Sequence, residues 1–551
     1  MVGLGPKKAP SRKGSMADLP HDLMQEIKRL EDLFVVDTNK LKAISDHFVS
    51  ELEKGLTKEG GDIPMNPTWC MGFPTGYETG TFLALDMGGT NLRVCEINLP
   101  EEKGEFDIIQ SKYRMPEELK TGNADELWGY IADCLQQFIE YHHEGEKLDK
   151  LPLGFTFSYP ATQEYIDHGV LQRWTKGFDI DGVEGKDVVP PFEKALEERG
   201  VPIKLTALIN DTTGTMIASA YTDSEMRMGC IFGTGCNAAY METCGNIPKL
   251  AHMGLNPDDQ MAINCEWGAF DNEHKILPRT QYDVIIDKES PRPGQQTFEK
   301  MIAGLYLGEL FRLVLVDLHE QPQVKFFEGA DISPLKKPYS LDASFLSDIE
   351  NDPYENLQET HDIFVNQMGI KPTRPELELL RRLAEVIGTR AARLSACGVA
   401  AICKKKNLKT AHVGADGSVF NKVSTLPENL HQQSTVLTTP SSTPTSRPAA
   451  RKPSRRSSTG RPAATASRWA RATTPSRSCP PRTALVSAPR SSPPSPSSAS
   501  RRATTPASAT RRACSRAPPP PSPPPTRFRG PLWRVRTMST MSHSRRLCSV
   551  P

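Results

Sequence analysis

Two stretches of this chain repeat one pattern, and the repetition narrows the folds open to it. Gly80-Thr-Phe-Leu-Ala-Leu-Asp-Met-Gly-Gly-Thr-Asn-Leu-Arg-Val-Cys-Glu-Ile-Asn98 reads as two strands joined by a Gly-Gly-Thr turn, and Gly229-Cys-Ile-Phe-Gly-Thr-Gly-Cys-Asn-Ala-Ala-Tyr-Met241 repeats the arrangement. Glycines in such turns let backbone N–H groups approach a phosphate closely, and Asp86 just before the first turn is a hard oxygen donor for a hydrated magnesium ion. Either stretch alone is also what an ordinary hairpin carries. Two of them facing each other could grip a polyphosphate from both sides. Ala411 to Phe420 reads as a third strand, Asp-Gly turn and strand.

Other strands deliver side chains to their carboxyl ends, where ligand clefts form in open α/β sheets. Leu205 to Ile209 is a short apolar strand ending at Asn210 and Asp211, and Leu151 to Phe157 is another, ending at Ser158. Asn210-Asp-Thr-Thr213 is at the same time good capping chemistry for a helix that follows. Arg173 to Phe178 reads as a loop bearing Lys176, and two further carboxylates, Glu266 and Glu299, lie downstream. Glu299 also suits the first turn of a helix, where a negative charge meets the positive end of the dipole. Helical spacing of apolar residues predicts two helices between Leu19 and Leu56, one through Leu127, Ile131, Leu135 and Phe138, and a long one over 374–405.

Charge is distributed unevenly. The last stretch, from residue 431, has no Asp or Glu and 22 Lys and Arg, which leaves 45 basic against 66 acidic residues upstream. A folded part so acidic argues against nucleic acid or anionic membrane as its partner. No run of eighteen apolar residues exists and the N-terminus lacks an apolar signal core, so neither a membrane span nor a secretory signal is expected. Twelve cysteines without a C-x-x-C pair or a Cys/His cluster at metal spacing read as reduced thiols of a cytosolic protein with no structural zinc. There is no G-x-x-x-x-G-K-[ST] phosphate loop and no protein-kinase signature set.

Taken together, Leu85-Asp-Met-Gly-Gly-Thr-Asn-Leu-Arg93, Leu153-Gly-Phe-Thr-Phe-Ser-Tyr-Pro160, Trp174-Thr-Lys-Gly177, Asn210-Asp-Thr-Thr-Gly214, Phe232-Gly-Thr-Gly-Cys-Asn237 and Asn264-Cys-Glu-Trp-Gly268 resemble the eukaryotic hexokinases, most closely the fungal glucose-phosphorylating type. The resemblance spans about residues 15–422, with the motifs in the family's order. It implies an actin-like ATPase (ribonuclease H-like) α/β fold, two lobes around a cleft with sugar at its base and ATP between the lobes. Its implied divisions are a basic arm (1–17), a helical segment packing with the large lobe (18–78), a small lobe (79–210) and a large lobe (211–422).

The same resemblance implies roles. Asp211 is the general base and Lys176 its catalytic companion; Ser158, Thr175, Lys176, Asn210, Asp211, Asn237, Glu266, Gln296 and Glu299 bind the hexose. Asp86, Gly88, Gly89, Thr90, Asn91 and Arg93 form the first phosphate loop, Gly233, Thr234 and Gly235 the second, and Asp416, Gly417 and Ser418 lie near the nucleotide. Glucose, mannose or fructose with MgATP are the implied substrates, Asp86 reaching magnesium through water. A cytosolic monomer or homodimer is expected.

Past Lys422 the resemblance stops. Residues 423–551 are rich in Pro, Ser, Thr, Ala and Arg, a composition that buries too little apolar surface to offset chain entropy, so disorder is predicted. It is also what a GC-rich gene yields when read out of frame or through a retained intron. A catalytically impaired sugar sensor on the same fold, or binding of nucleic acid or membrane by the cationic tail, are the competing readings. Arg12-Lys13-Gly14-Ser15 places a serine where basophilic kinases act.

Overall fold

A computed structural model of the chain describes residues 19–422 except 59, 90, 147–148 and 175–177, together with Ser434, Leu437 and 546–550. The basic arm with Ser15, and most of the tail, lie outside the described residues. Within the tail read as disordered, Ser434 and Leu437 are helical and buried, and 546–550 form a strand.

Two helices come first, α1 (His21–Phe34) and α2 (Thr38–Thr57). Asp37 starts α2 by accepting from the N–H groups of Asn39 and Lys40 at 2.7 and 3.1 Å. Their stripe of Leu23, Ile27, Leu30, Phe34, Leu41, Ile44, Phe48 and Leu52 is buried in the larger of the two main cores. After them, β1 (Asn66–Met71) joins the sheet of that same core.

The chain then builds a five-stranded sheet from β2 (Gly80–Met87), β3 (Asn91–Leu99), β4 (Asp107–Arg114), β5 (Leu151–Phe157) and β8 (Ile203–Ile209), in the order β4-β3-β2-β5-β8. Between β5 and β8 lies a small hairpin, β6 (Ala161–Thr162) with β7 (Val170–Leu171). Pairing is antiparallel from β4 to β2 and parallel from β2 through β5 to β8. Helices α3 (Ala124–His142) and α4 (Val189–Glu198) supply the crossovers. Leu83, Leu85 and Met87 of β2 and Leu153, Phe155 and Phe157 of β5 share a core with Leu127, Ile131, Leu135 and Phe138 of α3.

Helix α5 (Asp211–Thr222) leaves β8, and a second sheet follows the same plan: β9 (Met226–Phe232), β10 (Cys236–Thr243), β11 (Gln260–Asn264), then β12 (Ala411–Asp416). Its order is β1-β11-β10-β9-β12-β13, with β9 to β11 antiparallel, β12 parallel to β9, and β13 (Arg546–Val550) antiparallel on the edge. Between β11 and β12 run α6 (Gln281–Glu289), α7 (Thr297–Ile302), α8 (Gly304–Glu320), α9 (Ser333–Lys336), α10 (Ala343–Asn351), α11 (Gln358–Ile363) and α12 (Arg374–Lys405). The β2–β3 and β9–β10 hairpins each carry a glycine turn after their first strand, and each sheet then adds a parallel strand beside that strand. Both glycine turns and the ends of β5, β8 and β12 come to the carboxyl edges of parallel strands, the edge that forms ligand clefts.

One expectation from the sequence is corrected. After the Asp-Gly turn the chain does not form a strand but a short helix, α13 (Ser418–Lys422). Val419 and Phe420 are β-formers by propensity, yet the Asn421 N–H bonds to the Gly417 carbonyl at 3.0 Å and the Asn421 side chain to Asp416 Oδ1 at 3.1 Å, and both apolar side chains are buried in that helical turn. Tertiary burial overrides propensity here. Helix α12 is long and apolar enough to cross a membrane, but 89% of its apolar window is buried against the rest of the fold, so it is a core helix.

Buried charges on and beside α12 are paired. Arg390 makes a two-pronged bond to Asp283 of α6, 2.8 Å on each arm. Fully buried Glu242 of β10 bonds Lys405 and Lys406 at 2.8 and 2.7 Å and accepts from the Tyr240 hydroxyl at 2.7 Å. Burial alone would raise the Glu242 carboxyl, but the two ammonium groups outweigh it and hold its pKa down to about 2 from an ordinary 4.5. A depressed carboxylate stabilises the fold above its unfolded pKa and loses that contribution as pH falls through the folded one. Glu242→Gln should thus cost about 3 kcal/mol in urea unfolding at neutral pH, and its gap from the parent should begin to close below the unfolded carboxylate pKa.

Candidate functional site

Buried Leu205 and Leu208 anchor β8, and the chain turns into α5 at Asn210. Asn210 Oδ1 accepts from the Thr212 N–H at 3.0 Å and the Thr212 hydroxyl at 2.7 Å, which makes it the helix N-cap and leaves half-buried Asp211 as first residue of the helix. The capping and ligand-binding readings of this motif are compatible, because the cap occupies Asn210 and not the Asp211 that follows it.

The same Asn210 oxygen is joined to the second sheet. Asn237 Nδ2 lies 3.4 Å from it, 2.7 Å from Asn264 Oδ1 and 2.9 Å from Glu266 Oε1. Asn264 Nδ2 donates to the same Glu266 oxygen at 2.9 Å, and the Glu266 N–H donates to Asn237 Oδ1 at 2.9 Å. Three amides and a carboxylate from β8, β10 and β11 thus form one net. Glu266 takes a left-handed backbone, φ 57°, ψ 44°, a conformation that costs a non-glycine residue about 1 kcal/mol or more. Its neighbours explain why it is held: Cys265 and Trp267 are both fully buried, so the chain between them must turn outward. The Trp267 ring packs edge-on against Phe48 and Phe298 and lies so close to Gly398 of α12 that a Cβ there would meet it at 2.6 Å.

Glu299, on α7, reaches beneath the second glycine turn. Its Oε2 accepts from the Cys236 N–H at 2.8 Å, and a Cβ on Gly235 would lie 2.7 Å from that oxygen. Gln296 begins α7 in a left-handed conformation, φ 55°, with its amide beside Gly268. Burial, then the charges of Glu299 and Glu266, push the Cys236 thiol well above its ordinary pKa, so a neutral thiol sits between two carboxylates. Ser158 is buried just past the end of β5, and the pairing of Thr156 with Ile209 sets it level with Asp211 at the same sheet edge.

The first glycine turn is closed by the Gly88 N–H bonding to the Asn91 carbonyl at 3.0 Å, and Arg93 Nη1 lies 3.4 Å from Asp86 Oδ2 across the hairpin. Gly89 sits in this turn, half-buried. Burial, then the Asp86 charge, raise the phenol of Tyr159 above its usual range. In the second turn the Gly233 N–H bonds to the Gly235 carbonyl at 2.9 Å, with Thr234 exposed at the tip. The start of α8 holds this turn from behind, Gly304 N–H to Gly233 O at 2.8 Å and Leu305 N–H to Thr234 O at 3.2 Å. Gly417, φ 116°, packs on it from the end of β12, so close that a Cβ would meet the Phe232 carbonyl oxygen at 2.4 Å; Asp416 Oδ1 accepts from the Gly417 N–H, and Ser418 beside it is exposed.

Among the residues singled out in the sequence, Asn210, Asn237 and Glu266 are therefore in one hydrogen-bonded net with Asp211 next in chain. Glu299, Gly235 and Gly233 form a second group with Gly417, and Asp86, Gly88, Asn91 and Arg93 a third in the other sheet. Thr90, Thr175 and Lys176 lie outside the described residues. Asn264 and Thr212 were not singled out, although both belong to the net. The signal was present, since Asn264 stands two residues before Glu266 in the same motif. Among the described residues no cluster of three His, Cys, Asp or Glu side chains could hold a metal ion by itself. Asp86 is a single, partly exposed carboxylate, a donor set that suits a cation arriving already coordinated by phosphate and water. Chemically, the acidic and amide groups suit a ligand rich in hydroxyls, and the backbone N–H groups of glycine turns suit phosphate.

Comparison with known proteins agrees. Residues 26–221 and 227–459 match two family profiles, both described as Hexokinase, the second running past Lys422. The chain is 72% identical over 422 residues to a hexokinase of Emericella nidulans, covering 77% of this chain and 86% of that one. It is 55% identical over 426 residues to Hexokinase-2 of Saccharomyces cerevisiae, 77% and 87% covered. Among solved structures, a hexokinase from Schistosoma mansoni complexed with glucose superposes with a TM-score of 0.70 at 35% identity, over 75% of this chain and 93% of that one.

The backbone at Gly417 allows a test of the second turn's packing. Gly417→Ala combines a left-handed backbone with a clash against a carbonyl, and urea unfolding should show it less stable by about 1–3 kcal/mol.

Proposed function

The chain belongs to the hexokinase family, and from that membership we propose that it moves the γ-phosphoryl group of ATP to the 6-hydroxyl of glucose with Asp211 as general base. It is an ATP-dependent hexose kinase of the actin-like ATPase fold. The observation that carries the site assignment is the Asn210–Asn237–Asn264–Glu266 net, which joins the strand end bearing Asp211 to the second sheet.

A primary alcohol must lose its proton as it attacks phosphorus, and a carboxylate on the first turn of α5 is suited to receive it; such help is worth on the order of 10²–10⁴-fold. Glu266 and Glu299 act as charged acceptors for sugar hydroxyls, with Asn210, Asn237, Gln296 and Ser158 completing the ring of contacts, each charge-assisted bond contributing roughly 1.5–3 kcal/mol. Phosphoryl transfer asks little covalent chemistry of the protein, so the remaining acceleration comes from placing the reactants and offsetting charge. Backbone N–H groups of the two glycine turns serve the phosphates, and Asp86 takes the magnesium of MgATP through water, with Arg93 beside it. That magnesium supplies charge neutralisation of the phosphates. For Thr90, Thr175 and Lys176 the support is the sequence motif, in which Lys176 adds a positive charge for the γ-phosphoryl group.

Mannose and fructose share with glucose the configuration at C3, C4 and C5 and the 6-hydroxyl, so both join glucose as substrates of the proposal. Water is always present as a competing acceptor. A site completed only when sugar draws the lobes together excludes that water by induced fit. The cytosol is the proposed compartment, supported by cysteines spread along the chain without a C-x-x-C pair or a metal-spaced cluster.

Asp211→Ala should fold like the parent and lower kcat by about 10²–10⁴-fold with little change in glucose KM, read in a coupled assay of sugar phosphate; an unchanged kcat would reject the base assignment. ATP hydrolysis measured without sugar should run far below sugar phosphorylation, and should rise when lyxose, a sugar lacking the 6-hydroxymethyl group, is added to close the site. Equal hydrolysis with and without lyxose would count against closure.

A further inference from the structure

The loop at 290–296 carries Gln296 into the site and leads straight into α7 with Glu299, yet nothing apolar secures it. Residues 291–295 are all exposed, and α7 is only six residues long, too short to hold its own shape. Phe298, Met301 and Ile302 fasten the back of that helix to the core but leave the exposed loop before it without apolar packing.

What holds the loop is polar. Lys300, 5% exposed and next to Glu299 in the chain, donates from Nζ to Asp287 Oδ1 at 2.7 Å and to the Arg292 carbonyl at 2.7 Å. The same Asp287 oxygen accepts from the Gly294 N–H at 3.0 Å, and the Asp287 carbonyl accepts from the Ser290 hydroxyl at 2.7 Å. Arg279 Nη2 is 3.2 Å and His274 Nε2 4.0 Å from the other carboxylate oxygen, so Asp287 is itself fixed from the α6 side. Arg292 and Gly294 are thereby tied to one ion pair, with Ser290 held by the backbone of the same Asp287, and Gln296 follows two residues after Gly294 in its strained left-handed backbone. The Lys300 N–H closes the sequence by bonding to the Gln296 carbonyl at 2.9 Å.

We propose that Lys300 and Asp287 are positioning residues for the sugar: their ion pair sets the loop that aims Gln296 and Glu299, and so governs hexose affinity without touching the hexose. The proposal rests on Gln296 and Glu299 binding sugar, as assigned above. A buried pair with a purely structural role would lower stability and the amount of active enzyme while leaving both Michaelis constants alone. A positioning pair acts selectively, because the second glycine turn is braced by α8 and β12 and the first closes on its own hairpin.

The experiment uses the full chain and three variants, Lys300→Met, Asp287→Asn and Glu299→Gln, each checked for a cooperative thermal transition. Glu299→Gln, which removes a contact itself, should raise glucose KM. Lys300→Met keeps the length of the stem and removes the donor; it should raise glucose KM by about 10- to 100-fold with ATP KM within about 2-fold of the parent. Asp287→Asn keeps an acceptor for Gly294 but not the charge facing Lys300, and should give a smaller rise of the same selectivity. Glucose affinity read from intrinsic fluorescence should fall in parallel. A folded Lys300→Met with unchanged glucose KM, or one in which both Michaelis constants rise equally, overturns the proposal. If Lys300→Met does not fold, the same two outcomes in Asp287→Asn decide it. Should Glu299→Gln leave glucose KM unaltered, the sugar assignment falls and this proposal with it; an effect of Glu299→Gln with none from the pair removes the positioning role alone.

Discussion

The bond from the Thr212 N–H to Asn210 Oδ1 starts helix α5 where the chain passes from one sheet to the other, and much of the site depends on that single start. A helix must satisfy its first N–H groups somewhere, and an asparagine cap does so without using the carboxylate that follows. Because the cap oxygen also faces Asn237, the same side chain ends a strand, begins a helix and meets the opposing sheet. Asp211 inherits its place from these constraints rather than from packing of its own.

A second dependence lies behind the carboxylates. Glu266 is held in an unfavourable backbone because Trp267 and Cys265 on either side are drawn into the core, and Trp267 fits only because residue 398 has no side chain. Glu299 is presented by a six-residue helix whose back is apolar and whose leading loop is polar. In both cases apolar burial holds the backbone beside a charged group, and for Glu299 the polar loop ahead of the helix completes the hold. This is the usual division between a rigid scaffold and a preorganised site.

The likeness of the two sheets bears on the chemistry. Each has a hairpin with a glycine turn, yet the side chains around them differ: Asp86 with Arg93 on one, Glu299 and Gly417 near the other. One plan thus carries a carboxylate–guanidinium pair beside its turn in one sheet, and a turn braced by α8 and β12 in the other. Buried ion pairs at Asp283–Arg390 and around Glu242 tie the long core helix to the sheet and to α6, so that the large half is cross-linked by charge as well as by apolar contact.

Much of this was legible in the chain itself. Strand, glycine turn and strand at 80–98 and 229–241 follow from local alternation and turn chemistry, the helices from apolar spacing, and the family from six motifs in order, because each of these signals is written in neighbouring residues. Where the reading failed, distant contacts decided: 418–422 became helical because Val419 and Phe420 had a core to enter, and Asn264 joined the site because β10 and β11 align it with Asn237. The clasp at Lys300 was invisible for the same reason, since its partners at 279, 287, 292 and 294 are brought together by the fold and by no periodicity. Sequence alone determined which groups could do the chemistry; tertiary structure decided which of them meet, because hydrogen bonds and ion pairs act over a few ångströms of space, whatever the separation along the chain.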